Sequence, residues 1–320
     1  MTALPVQGTI RRALSIFIII FAAGAVVSIA VAQTAYALAL LSWIALILAE
    51  RQPFPRIRYE WFFAAFIVLG AVSVLFAVRK GIWMPYLKRV ALLPVVYLLA
   101  HAITGRKMVR AVLSGFVTVG VLFALVGIVK FLAGPDTRLR LFNHYMTSGG
   151  ILMIVSLISF SAAFVPAPRP VRVISAICGA VVLVPLVMTF TRSSWLGLVA
   201  GLGLMCLLRA RRLIPFLAAA LVLLVVVAPP QVRERALSSF DPYHPSNIER
   251  TYMWKAGVEM MMDHPLTGTG DMDLSDLYRE YRSPEAEQVH GHMHNNLVMF
   301  GAIMGIPGLL FFVAMSVFIF

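Results

Sequence analysis

One long polar stretch, from Pro229 to Asn295, interrupts a chain that otherwise consists of apolar segments joined by short polar turns. Apolar residues make up 60% of the sequence and charged residues only 13%, with a mean hydropathy of +0.88. A soluble fold of 320 residues could not bury this much apolar surface. The sequence therefore predicts an all-α polytopic membrane protein with one large loop outside the bilayer. Any chemistry is expected in or beside that loop.

About ten apolar segments have roughly the 17 to 25 residues that a helix needs to cross a bilayer. The first run, 13–49, is too long for one span, and the weakly polar stretch from Ser28 to Gln33 is the expected turn between two helices. The other eight segments are 59–78, 89–103, 109–133, 148–165, 171–190, 194–208, 213–228 and 296–320.

These segments divide the chain into a nine-helix N-terminal bundle (1–228), a large loop (229–295) and a last helix (296–320). Because the sequence stops inside its last apolar run, we expect either a truncated chain or a terminal helix without a tail.

The positions of lysine and arginine predict the orientation of these segments. With the N-terminus in the cytoplasm, thirteen basic residues fall on the inner side and eight in the short outer loops. The positive-inside rule favours this arrangement, which places the 229–295 loop on the outer face. That loop holds six basic and eleven acidic residues, a formal charge of −5. We interpret the outer residues Lys80, Lys88 and Arg89 as side chains that reach lipid headgroups, and we expect no nucleic-acid partner.

Arg192 lies in Thr191-Arg192-Ser193-Ser194-Trp195, a short turn between two predicted spans. An arginine this close to hydrocarbon needs a partner, and no acidic residue lies near it in the sequence. The C-terminus of a helix is one such partner. A phosphate-bearing ligand is the one we favour, because the guanidinium fork matches phosphate oxygens.

Two short helices are predicted inside the large loop. The first is capped by Asn247 and runs to about Met262, with one face that carries Met253, Trp254, Gly257 and Met261. The second runs from Asp271 to Tyr281, after the turn-forming sequence from His264 to Gly270. We interpret the carboxylates of this second helix as a solvated face: Asp271, Asp273, Asp276 and Glu280.

Three alternating histidines, His290, His292 and His294, end the loop. On an extended strand they would share one side and could bind a metal ion together with Asp263 or Asp271. A second interpretation is that His294 and Asn295 cap the last helix. A third is general base catalysis, since an imidazole with a pKa near about 6.5 is mostly neutral at pH 7. His294 lies nearest the expected membrane surface.

These features occur in an order that resembles the O-antigen ligase and O-antigen polymerase superfamily. They are the turn 191–195, Arg250 with Trp254, the sequence 264–270, His292-Met293-His294-Asn295-Asn296, and three glycines of the last helix, Gly301, Gly305 and Gly308. The likeness is strongest from Thr189 to Phe312. Earlier residues match mainly in hydropathy and in Phe142-Asn143-His144.

The resemblance implies a GT-C-type glycosyltransferase of lipopolysaccharide biosynthesis at the outer face of the bacterial inner membrane. Its donor would be a glycan on undecaprenyl diphosphate, and in ligases the acceptor is a sugar hydroxyl of the lipid A core. The resemblance implies that His294 is the general base and that Arg192 and Arg250 bind the diphosphate. It also implies that the enzyme uses no metal and no other cofactor. We add four residues as supporting ones: His292, Asn295, Trp254 and Arg140.

The reaction class stays open at this point. One large outer loop and a short 134–147 loop favour a ligase over a polymerase, and a protein O-oligosaccharyltransferase is a further alternative. A different class is an anion transporter with Arg192 and Arg140 facing a cavity. The sequence shows no pair of glycine- or proline-broken helices in corresponding halves, which would point to an inverted-repeat transporter.

Overall fold

The computed structural model describes residues 5–51, 54–79, 83–134, 137–141, 144–162, 164–270 and 273–319, and these residues contain helices but no β-strand. The α-helices are α1 Pro5–Val27, α2 Ile29–Glu50, α3 Glu60–Leu75, α4 Trp83–Val90, α5 Pro94–Ala102, α6 Arg106–Ala133, α7 Tyr145–Ser161, α8 Arg169–Met188, α9 Arg192–Arg209, α10 Ile214–Val227, α11 Pro230–Leu237, α12 Pro245–Asp263, α13 Ser275–Tyr281 and α14 Asn296–Ile319. A short 3₁₀ helix, Arg211–Leu213, precedes α10.

Six helices within the described ranges are long and apolar enough to cross a membrane. They are Gln7–Val27, Ile29–Glu50, Trp83–Ala102 (α4 and α5 with the turn between them taken together), Arg106–Ala133, Arg169–Met188 and Asn296–Phe318. Two shorter apolar helices are Glu60–Leu75 and Tyr145–Ser161. The prediction of a helical membrane protein is confirmed, whereas a total of about ten spans stays a prediction.

The structure divides the first apolar run, as predicted, and also divides the fourth predicted segment. The first run is interrupted at Ser28, which has an extended backbone between α1 and α2, inside the stretch predicted to turn. The fourth segment, predicted as one helix over 89–103, is interrupted by a turn at 91–93, with the last two residues of α4 before the turn and α5 after it. Pro94 begins α5, and a proline disfavours helical geometry in the residue before it.

The chain forms two compact units, each built from two stretches of sequence. Unit 1 consists of Met1–Phe54 and Leu98–Ser239, and unit 2 consists of Pro55–Tyr97 and Phe240–Phe320. The predicted division into a bundle (1–228), a loop (229–295) and a last helix (296–320) concerns the arrangement across a membrane and stays a prediction.

In unit 1, α6, α7, α8 and α9 pack around a core that includes Leu152, Val155 and Leu186. The irregular segment 137–141 after α6 contributes Leu139 and Leu141 to the same core. The backbone N–H of Leu139 donates to the carbonyl of Met188 (2.9 Å), which ties this segment to the end of α8. The intervening Arg140 is exposed.

In unit 2, α14 is broken near its middle by Gly305 and Pro307. Gly305 has a φ of 68°, and Pro307 has no N–H to donate to the carbonyl of Ile303. The N–H of Ile306, which would otherwise bond to Ala302, donates to the carbonyl of Pro265 (2.8 Å). The carbonyls of Ala302 and Ile303 therefore need other donors.

The sequence 264–270, the turn after α12, supplies those donors. The N–H of Thr269 donates to Ala302 O (2.8 Å), and that of Gly270 donates to Ile303 O (3.1 Å). The hydroxyl of Ser73 in α3 also donates to Ile303 O (2.5 Å). Gly268 has a φ of 65° and lies so close to the 303–305 backbone that a Cβ would overlap it. Gly268 of this turn and Gly305 of the last helix thus allow the same close backbone contact.

Substitution of Gly268 by alanine is expected to destabilise the protein by at least about 2 kcal/mol, because a side chain there is strained by the positive φ and overlaps α14. Thermal melting in detergent measures the change. Gly203→Ala in α9 is the matched control, since a Cβ at Gly203 meets nothing within 4 Å. Equal melting temperatures for the two variants would contradict this description of the turn.

Candidate functional site

The last helix begins directly after the three histidines, and Asn295 caps it. The Asn295 Oδ1 atom accepts a hydrogen bond from the N–H of Leu297 (3.0 Å). His294 precedes the cap with a φ of 50°, the left-handed region that residues other than glycine seldom adopt. The capping interpretation therefore holds for Asn295, while His294 forms the tight turn before it.

His292 is fixed by the same turn. Its Nδ1 accepts a hydrogen bond from the backbone N–H of His294 (2.9 Å), so a neutral His292 carries its proton on Nε2. Partial burial lowers the pKa of His292, and the positive charge of Arg89 lowers it further. At neutral pH His292 is thus an uncharged ring that can donate through Nε2.

His290 points toward the interior of unit 2. Its Nε2 lies 3.4 Å from Glu249 Oε2, and both side chains are mostly buried. The other oxygen of Glu249 accepts from the N–H of Glu287 (2.9 Å), and the ring of His290 meets that of Tyr278 edge to face at 5.6 Å. The ring of His294 lies 5.5 Å from that of His292 and 6.3 Å from that of His290, measured between centroids. The structure therefore brings the three histidines together with distinct partners.

The metal interpretation gains no support from this arrangement. Over the described ranges, no group of three or more His, Cys, Asp or Glu side chains is placed to hold a metal ion. The carboxylate of Asp263 accepts a hydrogen bond from the Tyr281 hydroxyl (2.8 Å), and burial together with this bond raises the pKa of Tyr281 to about 12. Asp271 lies outside the described residues.

Helix α12 supports the histidines from one side. The prediction that Asn247 caps this helix is wrong, because α12 begins at Pro245 and His244 Nδ1 accepts from the N–H of Ser246 (3.3 Å). Proline is favoured at the first position of a helix, which moves the cap to the residue before it. Asn247 lies in the first turn, where its amide donates to the carbonyl of Asp241 (2.6 Å).

The predicted face of α12 differs slightly from the buried one, which consists of Met253, Ala256, Gly257 and Met260. Trp254 is partly exposed, and its Nε1 donates to the carbonyl of Met293 (3.1 Å). Met293 is fully buried between the two flanking histidines, and Gly257 passes close to it. Trp254 therefore anchors the backbone between His292 and His294.

Arg250 lies one helical turn before Trp254 and is half-buried. Within the part of the chain that the structure describes, it has no hydrogen-bond or ion-pair partner. Because a half-buried guanidinium without a counter-charge favours an anion, this position suits a negatively charged ligand.

The predicted acidic helix is shorter than expected, since α13 begins at Ser275. The Asp273 carboxylate before it accepts from the N–H and the hydroxyl of Ser275, and these bonds lower the pKa of Asp273. Asp276 and Glu280 are exposed and both pair with Arg79. The acidic residues in the described part of this segment thus form a solvated face, as the sequence indicated.

Arg192 belongs to unit 1 and is almost completely buried, with 5% of its surface exposed. Its Nη1 donates to the carbonyl of Ser238 (2.6 Å) and to the Ser238 hydroxyl (3.1 Å), at the C-terminus of α11. A helix C-terminus was one of the two partners expected from the sequence. The sequence analysis did not predict the helix α11, although Pro229-Pro230 is a typical helix start.

Hydrogen bonds hold the turn that carries Arg192. Trp195 Nε1 donates to the carbonyl of Leu186 (3.1 Å), and the Thr191 hydroxyl donates to the backbone carbonyl of Tyr145 (3.3 Å). Gly149 of α7 lies so close to Thr191 and Ser194 that a Cβ would be in tight contact. Arg192 and Arg140 thus belong to unit 1, whereas the histidines, Asn295, Arg250 and Trp254 belong to unit 2.

The pKa of His292 is expected to be measurably below about 6.5, with burial as the larger cause and Arg89 as the smaller one. The lowered pKa means that the folded protein protonates His292 less readily than the unfolded chain does. His292 therefore lowers the free energy of unfolding as the pH falls below about 6.5. Histidine NMR titration, assigned with His292→Gln, measures the midpoint. Arg89→Gln should raise the midpoint and Lys88→Gln should leave it in place; the opposite pattern would contradict the assigned cause.

The chain was compared with protein families, curated proteins and solved structures. Residues 177–313 match the family model described as O-antigen ligase. A comparison with curated proteins and one with solved structures gave no significant match. The matched range includes Arg192, Arg250, Trp254, His294 and Asn295, whereas Arg140 precedes it. This match supports, for residues 177–313, the resemblance to the O-antigen ligase family that the order of the motifs indicated.

Proposed function

We propose that this chain is a GT-C-type glycosyltransferase of about ten spans that works at the outer face of the bacterial inner membrane. It transfers a glycan from undecaprenyl diphosphate to a sugar hydroxyl of the lipid A core. The family match over 177–313 supports the class of enzyme. The main support for the proposed site is the hydrogen bond from the His294 N–H to His292 Nδ1. It occupies the proton-accepting nitrogen of His292 and so distinguishes His292 from His294.

His294 is the proposed general base. The proton-accepting nitrogen of His292 is already occupied by a backbone N–H, and His290 faces Glu249. Both observations favour His294 over its neighbours. A neutral His292 at 5.5 Å also avoids a like charge that would make the protonation of His294 unfavourable during the reaction.

The proposed reaction is a single displacement. His294 takes the proton of the acceptor hydroxyl while that oxygen forms a bond to the anomeric carbon of the donor glycan. The bond between this carbon and the diphosphate oxygen breaks, and undecaprenyl diphosphate leaves with the electron pair. Arg192 and Arg250 stabilise the negative charge of the leaving group, and the proton on His294 passes to solvent. A diphosphate paired with two arginines leaves readily, so we propose a reaction that needs no metal or other cofactor.

Three supporting residues act through the backbone or through charge. Trp254 holds the carbonyl of Met293, and Asn295 fixes the first turn of α14, so both define the position of His294. Arg140 is exposed in unit 1, where its charge can attract the anionic donor.

The central test is glycan transfer by purified protein in nanodiscs, from an undecaprenyl-diphosphate glycan to lipid A core. His294→Ala is expected to reduce the rate by about 10² to 10⁴, the usual contribution of a general base. Arg192→Ala is expected to reduce it by about 10² to 10³ through lost charge stabilisation. His244→Asn is the control, since it removes an imidazole from the same loop and keeps a residue that can cap α12. Full activity in His294→Ala would overturn the assignment of the base.

The same assay separates the alternatives. Elongation of the donor glycan without modification of the core would indicate a polymerase, and transfer to protein would indicate an O-oligosaccharyltransferase. Movement of an intact anion across the membrane without bond cleavage would indicate an anion transporter. A loss of transfer on addition of a chelator would contradict the metal-independent mechanism.

Arg250→Ala is expected to raise the donor KM about tenfold, because it removes a charge-assisted contact to the diphosphate. Arg250→Lys should recover part of the loss, since it restores the charge but not the fork. Lys255→Ala, an exposed cation on the same helix, should leave the donor KM unchanged. Equal effects at Arg250 and Lys255 would show a general charge effect instead of a binding site.

A further inference from the structure

The short helix α11 and the turn before α9 are joined by two arginines and a serine, all within unit 1. Arg192 donates from the turn to the carbonyl (2.6 Å) and hydroxyl (3.1 Å) of Ser238. Arg235 donates in the opposite direction, from its Nε to the carbonyl of Phe190 (3.3 Å). The Ser238 hydroxyl also donates to the carbonyl of Arg235 (2.8 Å), which closes the set of bonds.

These bonds act on the guanidinium of Arg192 and on the backbone that carries it. Ser238 directly follows the last residue of α11, where helix carbonyls lack helical donors and carry partial negative charge. Phe190 has a φ of 50°, an uncommon conformation two residues before Arg192, and its carbonyl is the one that Arg235 holds. The end of α11 therefore fixes both the direction of the side chain and the shape of the turn.

The chemistry of this contact preserves the charge of Arg192. The carbonyl and hydroxyl of Ser238 are neutral, so they orient Nη1 without cancelling the positive charge of the guanidinium. The side chain is also long and rotamer-rich, and a fixed orientation reduces the entropy lost when an anion binds.

We infer that Ser238 and Arg235 are positioning residues, which hold the guanidinium of Arg192 in the orientation that binds the diphosphate of the donor. This inference rests on the proposed function, which assigns Arg192 to the diphosphate. Neither Ser238 nor Arg235 need touch the substrate.

A double-mutant cycle tests the inference, with farnesyl diphosphate as a short-chain probe whose Kd is measured on the full chain in nanodiscs. Ser238→Ala should weaken binding about fivefold, the usual effect of one lost hydrogen bond. Ser238→Thr keeps the hydroxyl and should bind nearly as the parent does. Ser239→Ala makes the same chemical change one residue further along and should have no effect.

The decisive comparison is in the Arg192→Ala background, where Ser238→Ala should cause no further loss because the side chain that it orients is absent. A loss of the same size in both backgrounds would show that Ser238 acts on stability or elsewhere, and would overturn the inference. Tighter binding in Ser238→Ala would overturn it too, since Ser238 would then compete with the ligand.

The cycle also separates this inference from the proposed function. If Arg192→Ala binds the probe as tightly as the parent, the assignment of Arg192 to the diphosphate fails and the inference fails with it. If Arg192→Ala weakens binding while Ser238→Ala does not, only the positioning role is wrong. Arg235→Lys is the second variant: it keeps the charge without the Nε–H donor, and should weaken binding only while Arg192 is present.

Discussion

The break in α14 is the constraint on which unit 2 depends. Gly305 and Pro307 deprive the carbonyls of Ala302 and Ile303 of their helical donors, inside a helix apolar enough to cross a membrane. An unpaired backbone group in such surroundings costs several kcal/mol, so the helix cannot break there unless the turn 264–270 bonds to it. The turn 264–270 follows α12, and α14 begins directly after the histidines. The backbone hydrogen bonds between this turn and α14 therefore hold together the two helices that flank the segment with the proposed chemistry.

The proposed site is held mainly by backbone bonds. Trp254 binds the carbonyl of Met293, the N–H of His294 binds His292, and Asn295 caps α14. These bonds leave the histidines with unequal properties, since His292 has a lowered pKa and His290 faces a carboxylate. The half-buried Arg250 adds positive charge one turn before Trp254. His294 and Arg250, the proposed base and one of the two proposed diphosphate ligands, thus lie in the same unit, as the proposed transfer from a lipid diphosphate needs.

Hydropathy and motif order predicted the helical membrane fold, the interruption at Ser28, the approximate extent of α12 and the family. The sequence did not predict the break at Gly305, because glycine and proline are common in membrane helices and the replacement donors lie more than thirty residues earlier. It could not choose the partner of Arg192, since Ser238 is 46 residues away and follows a helix of only eight residues. The tautomer of His292 depends on the left-handed backbone of His294, which no local pattern specifies.

A cryo-electron microscopy structure of the full chain in nanodiscs, with undecaprenyl diphosphate bound, would show where the diphosphate lies. We expect diphosphate density within hydrogen-bonding distance of the Arg250 guanidinium, on the part of unit 2 that carries His294. Diphosphate density that contacts neither Arg250 nor the 290–295 segment would show that the proposed site is wrong.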